Sequence, residues 1–356
     1  MIESFQILGS RGGGGAERFY VRFTKALHAL GHPVHVVTPG DSWAAAQLAD
    51  LERHPVPMRN VFDLFSRLAI SRLVGRHKPC IVQTWMGRAT RLTHIPRNKG
   101  IVHLARLGGY YDLKGYVHAH AWIGNTRGIC DYLIESGLPR ERVFHIGNFV
   151  DIPPPDRDFD RAGFLRSQGI PGEAFVLLGV GRLHPNKGFD VLLRAFERLP
   201  ARVGSRPVHL VIVGSGPLAE RLHAFSAHMD CRERIHWMGW KDDVGDYYRS
   251  ADVFVCPSNH EPLGNVILEA WAQGLPVVST STDGARELVA HAEDGLLVPV
   301  GDPKALADAI TLLLRDDTAR VSLANRGFHK VSHQYGRDSI MNAYIEVYGR
   351  LLAAAR

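Results

Sequence analysis

The chain has 356 residues, 45% hydrophobic and 22% charged, the composition of a soluble globular protein too long for one ordinary core. Two domains of about 150 to 200 residues each are expected. No stretch approaches about 18 uninterrupted apolar residues, and the start M-I-E-S-F-Q-I-L-G has neither the basic head nor the long apolar body of a signal peptide. Both features predict a cytoplasmic protein. Cys80, Cys130, Cys231 and Cys256 lie far apart with no C-x-x-C pair, which predicts reduced, packed thiols and argues against a zinc site. The net charge of +6 is uneven: residues 1–150 carry 19 Lys and Arg against 10 Asp and Glu, and residues 151–356 carry 23 against 26. A basic first half suits an anionic membrane, a phosphorylated acceptor or nucleic acid. No RNP, zinc-finger or helix-turn-helix pattern is present, so nucleic acid is not expected.

Short apolar runs alternate with longer amphipathic ones, the signature of βαβ units and parallel sheets. In chain order the pattern predicts a strand at 4–8, a helix at 17–30, and strands at 34–38, 81–84, 101–104, 121–125 and 143–146. Residues 59–78 mix Phe62, Phe65, Leu68, Ala69 and Val74 with Arg59, Arg67, Arg72, Arg76 and Lys78 at roughly helical spacing. This segment is expected to be an amphipathic helix packed on a sheet with a solvated basic face; the alternative is peripheral attachment to acidic lipid. The prolines and charges of V-D-I-P-P-P-D-R-D-F-D, residues 150–160, cannot continue a sheet and mark a linker. Beyond it come predicted strands at 176–180, 210–213, 235–238, 253–256, 277–279 and 295–298. Helices are predicted at 190–199, 217–228, near Glu261, at 305–314 and at 339–355. The expected domains are 1–150 and 151–336, both doubly wound, with 337–356 crossing back onto the first. Ligands of such sheets bind beyond the carboxyl ends of the strands, so the natural site is a cleft between the two sheets.

The loops after strands therefore carry the chemistry. In G-S-R-G-G-G-G-A-E, residues 9–17, the run Gly12, Gly13, Gly14 and Gly15 allows close backbone approach and frees a helix end to face an anion. The spacing is not a strict G-x-G-x-x-G, and Asp41 is only a rough counterpart of the acid that follows that motif. In G-V-G-R-L-H-P-N-K-G, residues 179–188, Arg182 and Lys187 sit near a strand end, where a forked guanidinium and a compact ammonium neutralise a diphosphate without a metal. V-G-S-G-P, residues 213–217, reads as an architectural turn. In G-W-K-D-D-V-G-D, residues 239–246, Trp240 suits either a flat base or the core, and the adjacent Asp242 and Asp243 suit helix capping better than a metal. Asp156 and Asp158 have D-x-D spacing but fall in the linker. In S-N-H-E-P-L-G-N-V-I-L-E, residues 258–269, Glu261 and Glu269 bracket a loop that turns into a helix, with Pro262 suited to the first turn and Leu263, Val266, Ile267, Leu268 and Ala270 behind it. A helix end attracts phosphate and carboxylates accept hydrogen bonds from sugar hydroxyls, so this segment suits a nucleotide sugar.

Together these segments resemble retaining nucleotide-sugar glycosyltransferases of the GT-B fold, glycosyltransferase family 4. The resemblance is strongest over residues 176–310, through G-R-L-H-P-N-K-G-F-D-V-L-L-R-A-F, V-G-S-G-P-L, E-P-L-G-N-V-I-L-E-A-W-A-Q-G-L-P-V-V-S-T and D-G-L-L-V-P-V-G-D-P-K-A-L-A-D-A-I. It is looser in the first half, through the glycine loop and residues 125–151. It implies a donor site in which Arg182 and Lys187 hold the diphosphate, Glu269 the ribose and Glu261 the transferred sugar. Backbone N–H groups of Leu263, Gly264, Asn265 and Val266 would face sugar and phosphate, with Gly13, Gly14, Gly15, Trp240 and Lys241 completing the donor contacts. It also implies a UDP-, GDP- or ADP-sugar donor, no cofactor, no divalent metal and retention of anomeric configuration, with Glu261, Arg182 and Lys187 as the catalytic set. Many members carry a histidine at a strand end of the first domain, beside the sugar. The stretch I-V-H-L-A-R-L-G-G-Y-Y-D offers Arg106 at that position, suited to an anionic acceptor or sugar, with His103 further back in the strand. The expected acceptor is a cell-envelope glycolipid or glycan, lipopolysaccharide core first, met at the cytoplasmic face of the inner membrane. A non-catalytic sugar-nucleotide-binding protein and a sugar-nucleotide epimerase are the rival readings.

Overall fold

The computed structural model describes residues 1–97, 100–154 and 156–355, so Pro155 of the expected linker and Arg356 of the expected closing segment lie outside the described residues. Two compact units are present, one of residues 1–148 together with 337 onward, the other Phe149–Gly336.

The first unit is built on seven strands: β1 Glu3–Leu8, β2 Val34–Thr38, β3 Arg53–Pro55, β4 Cys80–Trp85, β5 Ile101–Leu107, β6 Ala121–Gly124 and β7 Val143–His145. Their order is β3-β2-β1-β4-β5-β6-β7, and every pairing is parallel. Every residue of β4 and β5 is buried. Burial on both faces is expected of a parallel sheet covered by helices and accounts for the apolar residues that dominate the two strands, with Gln83, Thr84, His103 and Arg106 as buried polar exceptions. The helix Arg337–Ala354 covers part of this sheet through Tyr344 and Tyr348. The Tyr348 hydroxyl donates to Gln83 Oε1 at 2.8 Å and accepts from Gln6 Nε2 at 3.3 Å, while the Tyr344 ring lies 4.5 Å from Phe23.

The second unit contains β8 Phe175–Val180, β9 Arg202–Val203, β10 Arg206–Val213, β11 Ile235–Gly239, β12 Val253–Cys256, β13 Val277–Thr280 and β14 Leu296–Val298. Six form a parallel sheet in the order β11-β10-β8-β12-β13-β14, with β9 antiparallel on β10. Alternate residues enter two separate cores: Leu177, Leu210, Ile212 and Val253 face one, and Val176, Leu178, Val211 and Phe254 the other. Chain order reverses between β8 and β12, the position at which a doubly wound sheet opens for a ligand.

Three local readings are corrected. First, Pro262 does not open a helix: the helix runs Asn265–Ala272, after Gly264 at φ 96°. Second, an 18-residue helix, Asp317–Gln334, is absent from the sequence-based assignment. It buries only Leu323, Ala324, Gly327 and Val331, which keep helical spacing, but Ala324 and Gly327 are too small to mark an apolar face in a segment that is otherwise polar. Third, residues 59–78 contain a helix, Leu64–Val74, but of the apolar residues expected to pack only Val74 turns inward. Phe62, Leu64, Phe65 and Leu68 are 84%, 66%, 86% and 52% exposed, whereas Ser66, Ile70 and Val74 turn inward. Ser66 sets that rotation: its hydroxyl accepts from the Met58 N–H at 2.9 Å and donates to Asp63 Oδ2 at 2.8 Å. Asp63 also caps the helix through the Ser66 N–H at 3.1 Å.

Gly327 sits where a Cβ would lie 2.2 Å from Cδ1 of Trp271, which is fully buried and donates to the Asp294 carbonyl at 3.1 Å. Gly327→Ala is therefore expected to destabilise the protein by about 1–3 kcal/mol through overpacking, despite the better helix propensity of alanine, as read by urea unfolding.

Candidate active site

Backbone contacts at the carboxyl edge of the second sheet lock four loops together. Gly188 has φ 61°, and a Cβ there would lie 2.0 Å from the Pro257 carbonyl oxygen, so the loops after β8 and β12 touch at a position open only to glycine. The Asn259 and His260 N–H groups both donate to the Asn186 carbonyl, at 2.8 and 3.1 Å, and the Asn259 amide donates to Pro185 O at 2.9 Å. On the other side a Cβ on Gly214 would lie 1.9 Å from Gly181 O; the Leu183 N–H donates to Ser215 O at 2.9 Å and the Gly214 N–H to Gly239 O at 2.8 Å. The V-G-S-G-P turn thus buttresses the loop that carries Arg182 and Lys187.

This packing brings Lys187 onto Glu261 Oε2 in an ion pair, with Ser258 Oγ 3.5 Å from the same oxygen. Burial alone would lower the Lys187 pKa; the charge and hydrogen bond of Glu261, with Cys256 and Glu269 behind it, outweigh that and raise it. The buried Cys256 thiol is pushed up by desolvation and by Glu261. One helical turn beyond Asn265, Glu269 accepts from the Tyr248 hydroxyl at 3.2 Å. Burial and then the Glu269 carboxylate hold the Tyr248 pKa well above the ordinary phenol range, so it stays a donor. Leu263 and Gly264 are buried in the turn before the helix, and Asn265 and Val266 are half-buried in its first turn. Gly284 fixes this turn: its N–H donates to Glu261 O at 2.9 Å, and a Cβ on it would lie 2.4 Å from Leu263 O.

Arg182 is exposed and has no ion-pair partner among the described residues. Trp240, 54% exposed, follows β11 and donates its indole N–H to Asp242 Oδ1 at 3.3 Å, so it does not belong to the core; Lys241 beside it is also exposed. The second unit therefore joins Lys187, Glu261 and Glu269 in one electrostatic group. Arg182, Trp240 and Lys241 stand on the same edge of the sheet, in the loops after β8 and β11. Tyr248 and Ser258, which hold the two carboxylates, carried no signal in the sequence, because Tyr248 lies on a different helix and a lone serine fits any loop.

In the first unit, Gly14 is the N-cap of the helix Gly15–Ala29, with Gly13 against the Trp43 ring at a Cβ distance of 3.0 Å. The anion already at this helix end is the chain's own Glu17: it is buried, accepts from Ser10 Oγ at 2.5 Å, and would lie 3.0 Å from a Cβ on Gly14. A carboxylate of the chain itself thus stands at this helix end, where the dipole favours negative charge. Asp41 pairs with Arg11 at 3.1 Å and does not take the place of a ribose-binding acid. Arg106 is 5% exposed: its Nε donates to Tyr344 Oη at 3.0 Å, its Nη2 to Asn148 Oδ1, and its guanidinium carbon lies 4.8 Å from both the Phe19 and Trp85 rings. These partners make it a buried cation held by the fold. His103 lies mid-strand beside Val82, fully buried, with Nε2 3.0 Å from Thr84 Oγ1 and no partner for Nδ1 among the described residues. Desolvation, helped by His118, His120 and His94, holds its pKa well below the ordinary value, so it is neutral.

With this geometry in view, the comparisons with known proteins agree. Residues 174–316 match the pattern of Glycosyl transferases group 1, and residues 13–152 that of Glycosyltransferase Family 4. The lipopolysaccharide core biosynthesis glycosyltransferase LpsE of Rhizobium meliloti is 33% identical over 341 residues, 94% of this chain and 95% of that protein. LpsD of the same organism is 30% identical over 348 residues, 96% of each chain. The crystal structure of Anabaena HepE in complex with UDP superposes with a TM-score of 0.85 at 20% identity, covering 98% of this chain and 100% of that one. The chain belongs to the family 4, group 1 glycosyltransferases: it is a glycosyltransferase of two Rossmann-like α/β units, related to enzymes of lipopolysaccharide core biosynthesis.

The Lys187 pKa is raised in the folded state, so its pairing contributes stability that is complete below the unfolded value and lost as pH rises through the folded one. The stability difference between wild type and Lys187→Gln should be constant from about pH 7 to 9 and shrink above about pH 10.4. Urea unfolding at each pH checks this; a difference that shrinks below pH 9 contradicts the pairing.

Proposed function

We propose that the protein is a retaining transferase that moves a hexose or related sugar from a nucleoside diphosphate, UDP first, to a lipopolysaccharide-core acceptor. The observation that carries the reading is the Lys187–Glu261–Glu269 group at the mouth between β8 and β12, beside the start of the Asn265–Ala272 helix and the unpaired Arg182. In this reading Arg182 and Lys187 meet the diphosphate and, with the helix end, stabilise the charge that develops on it as the sugar–oxygen bond breaks. Glu269, oriented by Tyr248, accepts from the ribose hydroxyls, and Glu261 from hydroxyls of the transferred sugar. Trp240 and Lys241 lie toward the base. Gly13, Gly14 and Gly15 contribute close backbone approach, with hydroxyl groups suiting their Glu17 neighbour better than phosphate. The acceptor hydroxyl attacks on the face the diphosphate leaves, which keeps the anomeric configuration. Arg106, buried and bonded through Nε and Nη2, and the neutral His103 act as supports of this half and touch neither substrate. The UDP in the HepE structure and the lipopolysaccharide-core relatives support the choice of donor and acceptor.

Melting shifts with UDP, GDP and ADP test the donor, since a ligand that binds only the folded state raises the melting temperature. UDP should give the largest shift, and Glu269→Ala should remove most of it. Glu261→Gln should retain the shift while turnover with a lipopolysaccharide-core acceptor falls about 10²–10³-fold. An unchanged UDP shift in Glu269→Ala overturns the ribose assignment. Sugar conversion without acceptor would support the epimerase instead, and an inverted product anomer would overturn retention.

The Leu64–Val74 segment further supports peripheral attachment to an anionic membrane, where such an acceptor resides. Phe62, Leu64, Phe65 and Leu68 form an exposed apolar surface bordered by exposed Arg59, Arg67, Arg72, Arg76 and Lys78. Inserting a phenylalanine or leucine contributes about 1.5–3 kcal/mol. Phe65→Ser should therefore weaken binding to phosphatidylglycerol vesicles by roughly tenfold or more, whereas Arg67→Glu with Arg72→Glu should do so mainly at low salt. Vesicle binding that ignores Phe65→Ser contradicts insertion by this face.

A further inference from the structure

At the amino ends of the strands of the first unit, opposite the glycine loop, histidines and glutamates from four segments converge. Glu3 opens β1, His35 is the second residue of β2, and His77 lies three residues before β4. Glu3 Oε1 is 2.9 Å from His35 Nε2 and 2.8 Å from His77 Nδ1, and all three ligand atoms lie within 4.8 Å of one another. The rings are held in place by Phe5, stacked under His35 at 4.4 Å and edge-on to His77 at 5.1 Å. The other nitrogen of His35, Nδ1, lies 3.2 Å from Glu52 Oε1 and 3.2 Å from His54 Nε2.

We propose that Glu3, His35 and His77 bind a divalent transition cation of the zinc type, with Glu52 and His54 orienting His35 from behind. Two imidazole nitrogens and one carboxylate oxygen are a donor set that zinc accepts, with water filling the fourth position of a tetrahedron. Bonds of about 2.0–2.2 Å place tetrahedral ligands roughly 3.4 Å apart, so the present 2.8 and 2.9 Å separations from Glu3 need to open by about half an ångström, with the three atoms already within 4.8 Å of one another. A ligating histidine characteristically donates its second ring N–H to a carboxylate, the relation His35 Nδ1 has with Glu52. His35 is nearly buried, whereas His77 is 29% exposed, which leaves an entry path on that side. The ion would clip β1, β2 and the approach to β4 together. It would stand a full strand length, about 17 Å, from the glycine-loop edge of the same sheet, which makes its role structural. The cysteine argument against zinc does not reach a set without thiolates. The ligands are also too far apart in the chain to form a motif. The proposal is independent of the nucleotide-sugar reading.

The test is cobalt titration of the untagged full chain, read by visible d–d absorption and competed with zinc. One equivalent should bind saturably and raise the melting temperature. His77→Ala should abolish the absorption while remaining folded by circular dichroism, and Glu52→Gln should keep the stoichiometry with affinity about 10–100-fold weaker. The UDP melting shift should be the same in all three proteins. Absence of a saturable band in the folded wild type overturns the site, as does equal cobalt binding by His77→Ala, which would place the ion on other histidines.

Discussion

The carboxyl edge of the second sheet depends on backbone packed against backbone at Gly188 and Gly214. At each position a carbonyl of a neighbouring loop occupies the space of a side chain, Pro257 O at Gly188 and Gly181 O at Gly214. These two contacts set the distance between the loop after β8 and the loops on either side of it. The meeting of Lys187 with Glu261, 74 residues apart, follows from that spacing. A methyl group at Gly188 would force the Pro257 loop away and take Glu261 with it, so the electrostatics of the site rest on a steric condition.

The resulting charge group is partly buried, which decides what each residue can do. A lysine with a carboxylate against it and a second carboxylate behind keeps its proton, and so remains a fixed positive charge. The cost of burying such a pair is offset by its geometry and by the Ser258 and Tyr248 hydroxyls that hold the two glutamates. Arg182 lies outside the pair and is exposed on the same edge of the sheet. Preorganised charge of this kind suits stabilisation of a leaving group, because little reorganisation is needed when negative charge develops.

In the first unit the same reasoning separates charge that supports from charge that is offered. Arg106 and Glu17 are consumed by internal partners: Arg106 by Tyr344, Asn148 and two aromatic rings, Glu17 by Ser10 at its own helix end. The arginines of residues 59–78 remain in solvent beside an apolar face that Ser66 has turned outward. One hydroxyl bonded to the Met58 backbone thereby reverses which side of a helix meets the rest of the protein.

The sequence by itself determined the alternation of strands and helices, and with it the parallel α/β class, because strands covered on both faces are mostly apolar whatever surrounds them. It also placed Arg182 and Lys187 near a strand end, through flanking glycines that allow close backbone approach, and Glu261 and Glu269 on either side of a loop that turns into a helix. It did not disclose the start of the 265–272 helix, which depends on Gly284 pinning the preceding turn, or the polar 317–334 helix, whose inward residues keep helical spacing but include Ala324 and Gly327, too small to stand out as an apolar face. Tertiary structure alone decided which way the 64–74 helix faces, that Arg106 is enclosed, and that Glu3, His35 and His77 meet. Each of these is a contact between residues distant in the chain, and helical or strand periodicity records only which face of an element is apolar, never what lies against it.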